Sequence, residues 1–216
     1  MAKASPRHIK TSSDGSLTLW VPELDEYYHS IHGALTESQH VFINAGLKAM
    51  ELKEVRVLEV GLGTALNARL TLEQKGSTQI HYTALEKFPL TSKEIDLLDL
   101  SLLEHQESIL RCPPFLPTEV VPGFHFELMT TDLRRFDSEE LSFDLIYFDA
   151  FAPSAQPELW TDEIFENMFK ILAVGGCLVT YCAKGIVKRS MKAAGFEVER
   201  LPGPPRKREM TRAWKR

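Results

Sequence analysis

Val55-Arg56-Val57-Leu58-Glu59-Val60-Gly61-Leu62-Gly63 is an apolar run closed by an acid and two glycines. Its β-branched and leucine residues suit a parallel strand buried on both faces. The glycines suit a turn whose backbone comes close to another group, where a Cβ would obstruct. After the turn, Ala65, Leu66, Ala68, Leu70 and Leu72 recur at spacings that suit a helix over 64–73. Strand, glycine turn and helix together make a nucleotide-type binding corner.

Outward from that corner the chain alternates. Strands are predicted over 55–60, 80–85, 126–130, 143–148 and 177–182. Helices are predicted over 64–73, 91–110, 161–172 and 184–194, the second of them open to a break. Strands separated by helices imply parallel βαβ units in a doubly wound sheet. The rhythm then changes, because strands over 196–201 and 209–215 are joined only by Pro202-Gly203-Pro204-Pro205-Arg206-Lys207-Arg208. That link is too short for a crossover, so the two strands pair antiparallel. The expected fold class is α/β: a mostly parallel, seven-stranded sheet ending in an antiparallel hairpin, the Rossmann-like class I methyltransferase fold. Residues 1–50, with a strand over 16–21 and a helix over 36–50 capped by Thr36, form a small N-terminal extension before a catalytic domain over 51–216. Residues 111–123 form a proline-stiffened excursion.

Composition sets outer bounds. A chain of 216 residues, 44% apolar and of net charge −5, fits one globular α/β domain. No apolar run is long enough to span a membrane, and the polar start Met1-Ala2-Lys3-Ala4-Ser5-Pro6-Arg7 lacks a hydrophobic signal core, so a cytoplasmic protein is expected. Cys112, Cys177 and Cys182 read as buried small apolar residues, the last two on opposite faces of one strand. Charge is uneven. Residues 184–216 hold eleven Lys/Arg against three Asp/Glu, a local +8, whereas residues 1–183 hold fourteen against 27, or −13. Such a basic end beside an acidic body suits a polyanionic partner, or is a solvated helix face and tail.

The corner's ligand follows from spacing. A dinucleotide site prefers a third glycine three residues on, and here that position is Leu66. Glu59 before the turn would repel phosphates but attract a sulfonium or amino cation, which points to S-adenosylmethionine. Glu86, 23 residues after Gly63, is placed to accept both ribose hydroxyls. Asp132 ends a strand where it can meet an adenine amino group, or serve as a cap before Leu133. Asp149 follows the apolar strand 143–148, and a charge beside Phe148 and Phe151 needs a partner or a task. The expected cofactor-binding set is Glu59, Gly61, Gly63, Asn67, Glu86, Lys87, Asp132 and Leu133, with Asp149 as the catalytic candidate. His29 and His32 lack companion ligands, so no metal is expected.

Several strings carry a family resemblance. Gly61-Leu-Gly-Thr-Ala-Leu-Asn67, Leu85-Glu-Lys-Phe-Pro-Leu90, Phe148-Asp-Ala-Phe-Ala-Pro153, Pro157-Glu-Leu-Trp160 and Arg206-Lys-Arg-Glu-Met210 resemble motifs of one methyltransferase domain. It is that of the bifunctional tRNA 5-methylaminomethyl-2-thiouridine biosynthesis protein. Leu35-Thr-Glu-Ser-Gln-His-Val-Phe42 is similar to its lead-in. The resemblance implies methyl transfer from S-adenosylmethionine to the amine of 5-aminomethyl-2-thiouridine at the tRNA wobble position. It further implies that Asp149 orients the amine and accepts a proton, that Phe151, Pro153 and Trp160 meet the uridine, and that tRNA is held at its anticodon region. Lys184, Arg189, Arg206, Lys207 and Arg208 are the expected phosphate contacts, with Lys188 and Lys192 beside them. The family's FAD-dependent oxidoreductase domain is not in this chain, so a stand-alone form is expected, and Ala65 stands where the family usually has glycine. A methyltransferase for a small-molecule or protein amine, and a non-catalytic S-adenosylmethionine-binding module, are the alternatives.

Overall fold

A computed structural model describes residues 6–12, 15, 17–28, 33–98, 100, 103–136 and 142–216. The chain opens with β1 (His8–Thr11), β2 (Leu17–Val21) and β3 (Glu26–Tyr27), which pair into a separate antiparallel sheet. Helix α1 (Ala34–Ser38) runs on as a wider π-type segment, Gln39–Asn44, and the chain then breaks at Gly46 before a short turn, Leu47–Ala49. The single helix expected over 36–50 is therefore interrupted, and Thr36 lies inside it rather than capping it. Gly46 explains the break: a Cβ there would lie 2.4 Å from the Phe42 carbonyl oxygen. Only a residue without one lets the chain fold back so tightly.

The core follows the expected alternation. It runs β4 (Glu54–Val60), α2 (Leu66–Gln74), β5 (Gln79–Leu85), α3 (Ser92–Leu97), α4 (Glu104–Leu110), β6 (Thr118–Val121) and β7 (Phe124–Met129). It continues with β8 (Phe143–Phe148), α5 (Asp162–Ile171), β9 (Leu172–Thr180), α6 (Gly185–Ala193), β10 (Glu197–Pro202) and β11 (Glu209–Trp214). The predicted helix over 91–110 is indeed two, the first opened by a capping box in which Thr91 and Glu94 exchange bonds. Thr161 caps α5 by accepting from the Ile164 amide.

The main sheet has the order β10-β11-β9-β8-β4-β5-β7-β6. Strands β9, β8, β4, β5 and β7 are parallel, while β11 and β10 form the antiparallel hairpin. The seven expected strands are joined by an eighth, β6, which lies inside the proline excursion and pairs antiparallel with β7 through the turn at Gly123. Pro117 and Pro122 flank it, and an edge position tolerates them.

Alternate residues of the sheet feed two cores. Val55, Val57, Ile80, Phe124 and Tyr147 pack with α2, α4 and the N-terminal segment, whose Leu19, Val41 and Phe42 join the same cluster. Leu58, Ile146, Phe148 and Leu178 pack with α5 and α6. Cys177 and Cys182 fall in different clusters, as their odd spacing requires, and all three cysteines are buried and free. Chain order reverses between β4 and its neighbour β8. At such a switch point the loops after adjacent strands diverge and open a crevice at the carboxyl edge. No helix among the described residues is long and apolar enough to cross a membrane.

Candidate active site

A cavity of about 440 Å³ fills that crevice, a volume in the range of small-ligand sites. Its floor is the set of loops after β4, β5, β7 and β8, contributing Gly61, Gly63, Glu86, Asp132 and Asp149. Its roof comes from the N-terminal segment, including Tyr28, Glu37 and Phe42. Two glycines make the floor possible. Gly61 has φ +89°, and a Cβ on it would come 2.7 Å from the Asp149 carbonyl oxygen. Gly63 has φ +55°, and a Cβ on it would meet the Tyr28 ring at 2.9 Å. Ala65, buried at the start of α2, also takes a left-handed conformation at φ +62°, which costs a residue with a Cβ on the order of 1 kcal/mol.

Beneath the floor, one amide joins two acids. Asn67 Nδ2 donates to Glu59 Oε1 at 2.9 Å and to Asp149 Oδ2 at 2.8 Å. Glu59 is fully buried, behind the cavity wall, so it acts on the site through Asn67 and its own field, not by the direct contact expected of it. Burial raises its carboxyl well above the usual range, with Asp149 adding repulsion and the Asn67 bond opposing. Among the described residues Asn67 Oδ1 has no hydrogen-bond partner, and the Tyr82 hydroxyl lies beside Glu59 and eases its charge. Asp149 is only half-buried, because one side of it faces the cavity. The surrounding protein nevertheless pushes its carboxyl up to about 7, burial being the largest cause, with Glu37 also raising it and Asn67 and Lys207 pulling it down. A carboxylate that titrates near neutrality can take a proton and release it again.

The remaining cofactor candidates line the rim. Glu86 accepts from the Phe88 amide at 2.9 Å and the Gly63 amide at 3.3 Å. A carboxylate has about four lone-pair sites, so Glu86 keeps acceptors for a pair of hydroxyls. Asp132 is held by Arg134 at 2.6 Å and by Lys87 at 3.0 Å, and this pairing depresses its carboxyl far below the usual range. It also caps the short turn Leu133–Arg135, so the cap reading holds whatever else it meets. Leu133 is buried and its neighbourhood gives the rim an apolar patch.

The expected substrate residues divide. Phe151 is on the wall, 5.2 Å from the Tyr28 ring. Trp160 is not: it is buried against Phe148, and its indole donates to the Phe151 carbonyl at 2.9 Å, so it supports the loop rather than meeting a ligand. Pro153 likewise lies outside the cavity lining. Lys207 is in the cavity, bonded to Glu37 at 2.8 Å and 4.6 Å from the centre of the Tyr181 ring. Lys184, Arg189, Arg206 and Arg208 are exposed outside it, while Lys188 is buried in an ion pair with Glu209 and does not share their surface. His29 and His32 lie outside the described residues, and no cluster of three or more metal-ligating side chains exists among those described. Sequence reasoning missed Arg7, Tyr28, Glu37 and Tyr181, all on the cavity wall. Arg7 and Tyr28 belong to segments without a motif, Glu37 stands in the family-like string 35–42 and Tyr181 in a predicted strand without marking itself as a site residue, and only the fold carries them to the site.

Comparison with known proteins agrees with this geometry. A family model described as S-adenosyl-L-methionine-dependent methyltransferase matches residues 119–216. The tRNA 5-methylaminomethyl-2-thiouridine biosynthesis bifunctional protein MnmC of Cupriavidus metallidurans is 32% identical over 224 aligned residues, covering 93% of this chain and 32% of that protein. Its namesake in Leptospira interrogans is 32% identical, covering 90% of this chain and 33% of the relative. The chain thus spans about a third of the length of these relatives. The crystal structure of MnmC2 from Aquifex aeolicus superposes with a TM-score of 0.77 at 27% identity, covering 99% of this chain and 72% of that one. With the switch-point cavity, the glycine floor and similarity along nearly the whole sequence, the chain belongs to the S-adenosylmethionine-dependent methyltransferases, in the family of the MnmC methyltransferase domain.

Proposed function

We propose that this chain methylates the primary amine of 5-aminomethyl-2-thiouridine at the wobble position of tRNA, in the cytoplasm. The observation that carries the reading is Asp149, a carboxyl near pH 7 on the wall of this cavity, in a chain similar along 93% of its length to a protein named for that modification. The glycine floor, where a Cβ would obstruct, and the acids Glu86 and Asp132 on the lining fit a cofactor with a cationic amino-acid end and a nucleoside. Glu86 would hold the ribose hydroxyls, with Asp132 and Leu133 beside the base and Gly61 and Gly63 under the amino-acid portion.

When bound, S-adenosylmethionine supplies an electrophilic methyl group on a sulfonium sulfur. The chain's own task is to present a neutral amine in line with it. An alkylammonium has no lone pair, so a proton must leave first. Asp149 takes that proton or accepts a hydrogen bond from the amine, while the Asn67 amide fixes its other oxygen and keeps the carboxylate from turning away. Phe151 and Tyr28 offer ring faces to a base turned out of the anticodon loop. The exposed Lys184, Arg189, Arg206 and Arg208 would meet phosphates. In this reading residues 1–50 roof the site and residues 51–216 form the methyltransferase domain.

The test is direct. The protein is incubated with labelled S-adenosylmethionine and tRNA bearing 5-aminomethyl-2-thiouridine, and the RNA is digested to nucleosides. Label in the methylaminomethyl nucleoside is expected. No labelled nucleoside from a protein that binds the cofactor would sink the proposal.

A further inference from the structure

One side chain in the cavity has the chemistry of a substrate. Lys207 presents a primary alkylammonium, and it is seated with Glu37 Oε1 at 2.8 Å, over the Tyr181 ring at 4.6 Å, within the same cavity as Asp149. The seat is built from three separate segments. Glu37 comes from α1, Tyr181 from the end of β9, and Lys207 from the turn between β10 and β11. The Tyr181 hydroxyl donates to the Ala150 carbonyl at 2.8 Å, which fixes its ring beside the loop that carries Asp149. The Glu37 side chain is largely buried at 17% exposure, so it loses most of its hydration and gains from a cation at close range. An acid plus a ring face is what a desolvated ammonium needs.

Glu37 and Asp149 also sense one another. Glu37 contributes to raising the Asp149 carboxyl, and Lys207 contributes to lowering it. Lys207 sits on the turn of a hairpin, flanked by exposed Arg206 and Arg208.

We infer that Glu37 and the Tyr181 ring form the subsite for the acceptor's alkylammonium, and that Lys207 fills this subsite in the free protein until the acceptor displaces it. The inference rests on the proposed function insofar as the acceptor is an amine. Glu37 then binds the protonated amine, and Asp149, lining the same cavity, is the carboxylate to which its proton passes. Displaced Lys207 can join Arg206 and Arg208 in facing the polyanion, so that seating the amine and gripping the nucleic acid are one event.

The experiment measures binding of 5-aminomethyl-2-thiouridine nucleoside and its neutral 5-hydroxymethyl counterpart by calorimetry, with S-adenosylhomocysteine present. Wild-type protein, Glu37→Gln, Lys207→Met and the double variant are compared, and methylation of the aminomethyl tRNA is followed alongside. Wild type is expected to prefer the amine. Glu37→Gln is expected to cut that preference by about tenfold, the worth of one charge-assisted hydrogen bond. Lys207→Met is expected to tighten the amine and leave the hydroxymethyl compound unchanged, and the double variant is expected to lose that gain. If Glu37→Gln keeps the full preference, or Lys207→Met weakens the amine, while methylation proceeds in wild type, the subsite is wrong and the functional reading stands. If the amine is bound through Glu37 but no methylated nucleoside forms, the functional reading fails and the subsite stands. Failure of wild type to bind either nucleoside overturns the subsite, and the functional reading then stands or falls with methylation of the tRNA.

Discussion

Asp149 is held in the fold at a cost. Its carboxyl has an ordinary value of 3.8 and is pushed up to about 7. The folded protein therefore binds a proton there that the unfolded chain has already lost, across the window from about pH 4 to about pH 7. Stability contributed by this group is present below pH 4 and is lost as pH rises through 7. At 1.36 kcal/mol per unit the ceiling is about 4 kcal/mol, and water in the open cavity brings the real figure below it. Asp149→Asn removes the titration and keeps an oxygen for the Asn67 amide. The variant should melt above wild type at pH 8, and the gap should shrink by more than half at pH 5, closing only below about pH 4, while methyl transfer falls by at least about a hundredfold. Melting curves at the two pH values check the first part. An equal gap at both would mean that Asp149 carries no strained charge. On the proposed mechanism activity should rise with pH through about 7, since the unprotonated form is the one that can take the amine's proton.

At the scale of elements, the roof is the part that the sequence conceals. Arg7, just before β1, donates to the Phe88 carbonyl, reaches Glu94 at 3.4 Å and stacks 5.8 Å from the Tyr28 ring. It is 3% exposed, and it straps the N-terminal sheet to the loop after β5. Arg7→Ala should free the strap without touching the core. Removing about 1–2 kcal/mol of charged hydrogen bonds corresponds to S-adenosylmethionine binding weakened by about five- to tenfold, with a melting temperature nearly unchanged. Titration of the cofactor measures this, and unchanged affinity would show that the roof is a bystander. The floor, by contrast, was legible. Val55 to Gly63, Glu86 and Asp149 lie where local patterns put them, because a parallel strand and a tight turn are written in consecutive residues. β6 hid among prolines, and the break at Gly46 depends on a close approach to Phe42 that periodicity does not encode. Trp160 misled because an aromatic near a catalytic loop supports the loop as readily as it meets a ligand. Glu37 and Tyr181 fall inside legible segments, the string 35–42 and the strand 177–182, but their place on the cavity depends on partners distant in sequence, Lys207 for the first and Ala150 for the second.

For the whole molecule, the charge asymmetry sorts itself into two kinds of basic residue. Lys188, Arg212 and Arg216 are spent on Glu209, Glu199 and Glu197, and Lys215 donates to the carbonyls of Phe169 and Leu172. The Arg212 and Arg216 pairs tie the two strands of the C-terminal hairpin together, while Lys188 and Lys215 stitch the hairpin to the core. Lys184, Arg189, Lys192, Arg206 and Arg208 are exposed. The +8 of the sequence already nets out Glu197, Glu199 and Glu209; only Lys207, paired with Glu37, and Lys215 are withdrawn from it, so most of the excess, Arg200 included, is turned outward near one end of an otherwise acidic chain. Under the proposed function, that acidic body would repel RNA elsewhere and so orient its approach. If about four of the exposed residues meet phosphates, the logarithm of the RNA association constant should fall with the logarithm of salt at a slope of about −3 to −4. Arg206→Ala with Arg208→Ala should make that slope shallower by about one for each phosphate no longer neutralised, and leave turnover at saturating RNA unchanged. Lys188→Ala should behave oppositely, since its ammonium is buried against Glu209: the protein should melt lower, and the slope should stay. A salt series on the three proteins separates the kinds. A slope that ignores Arg206 and Arg208 but drops with Lys188 would reverse this division of the basic end.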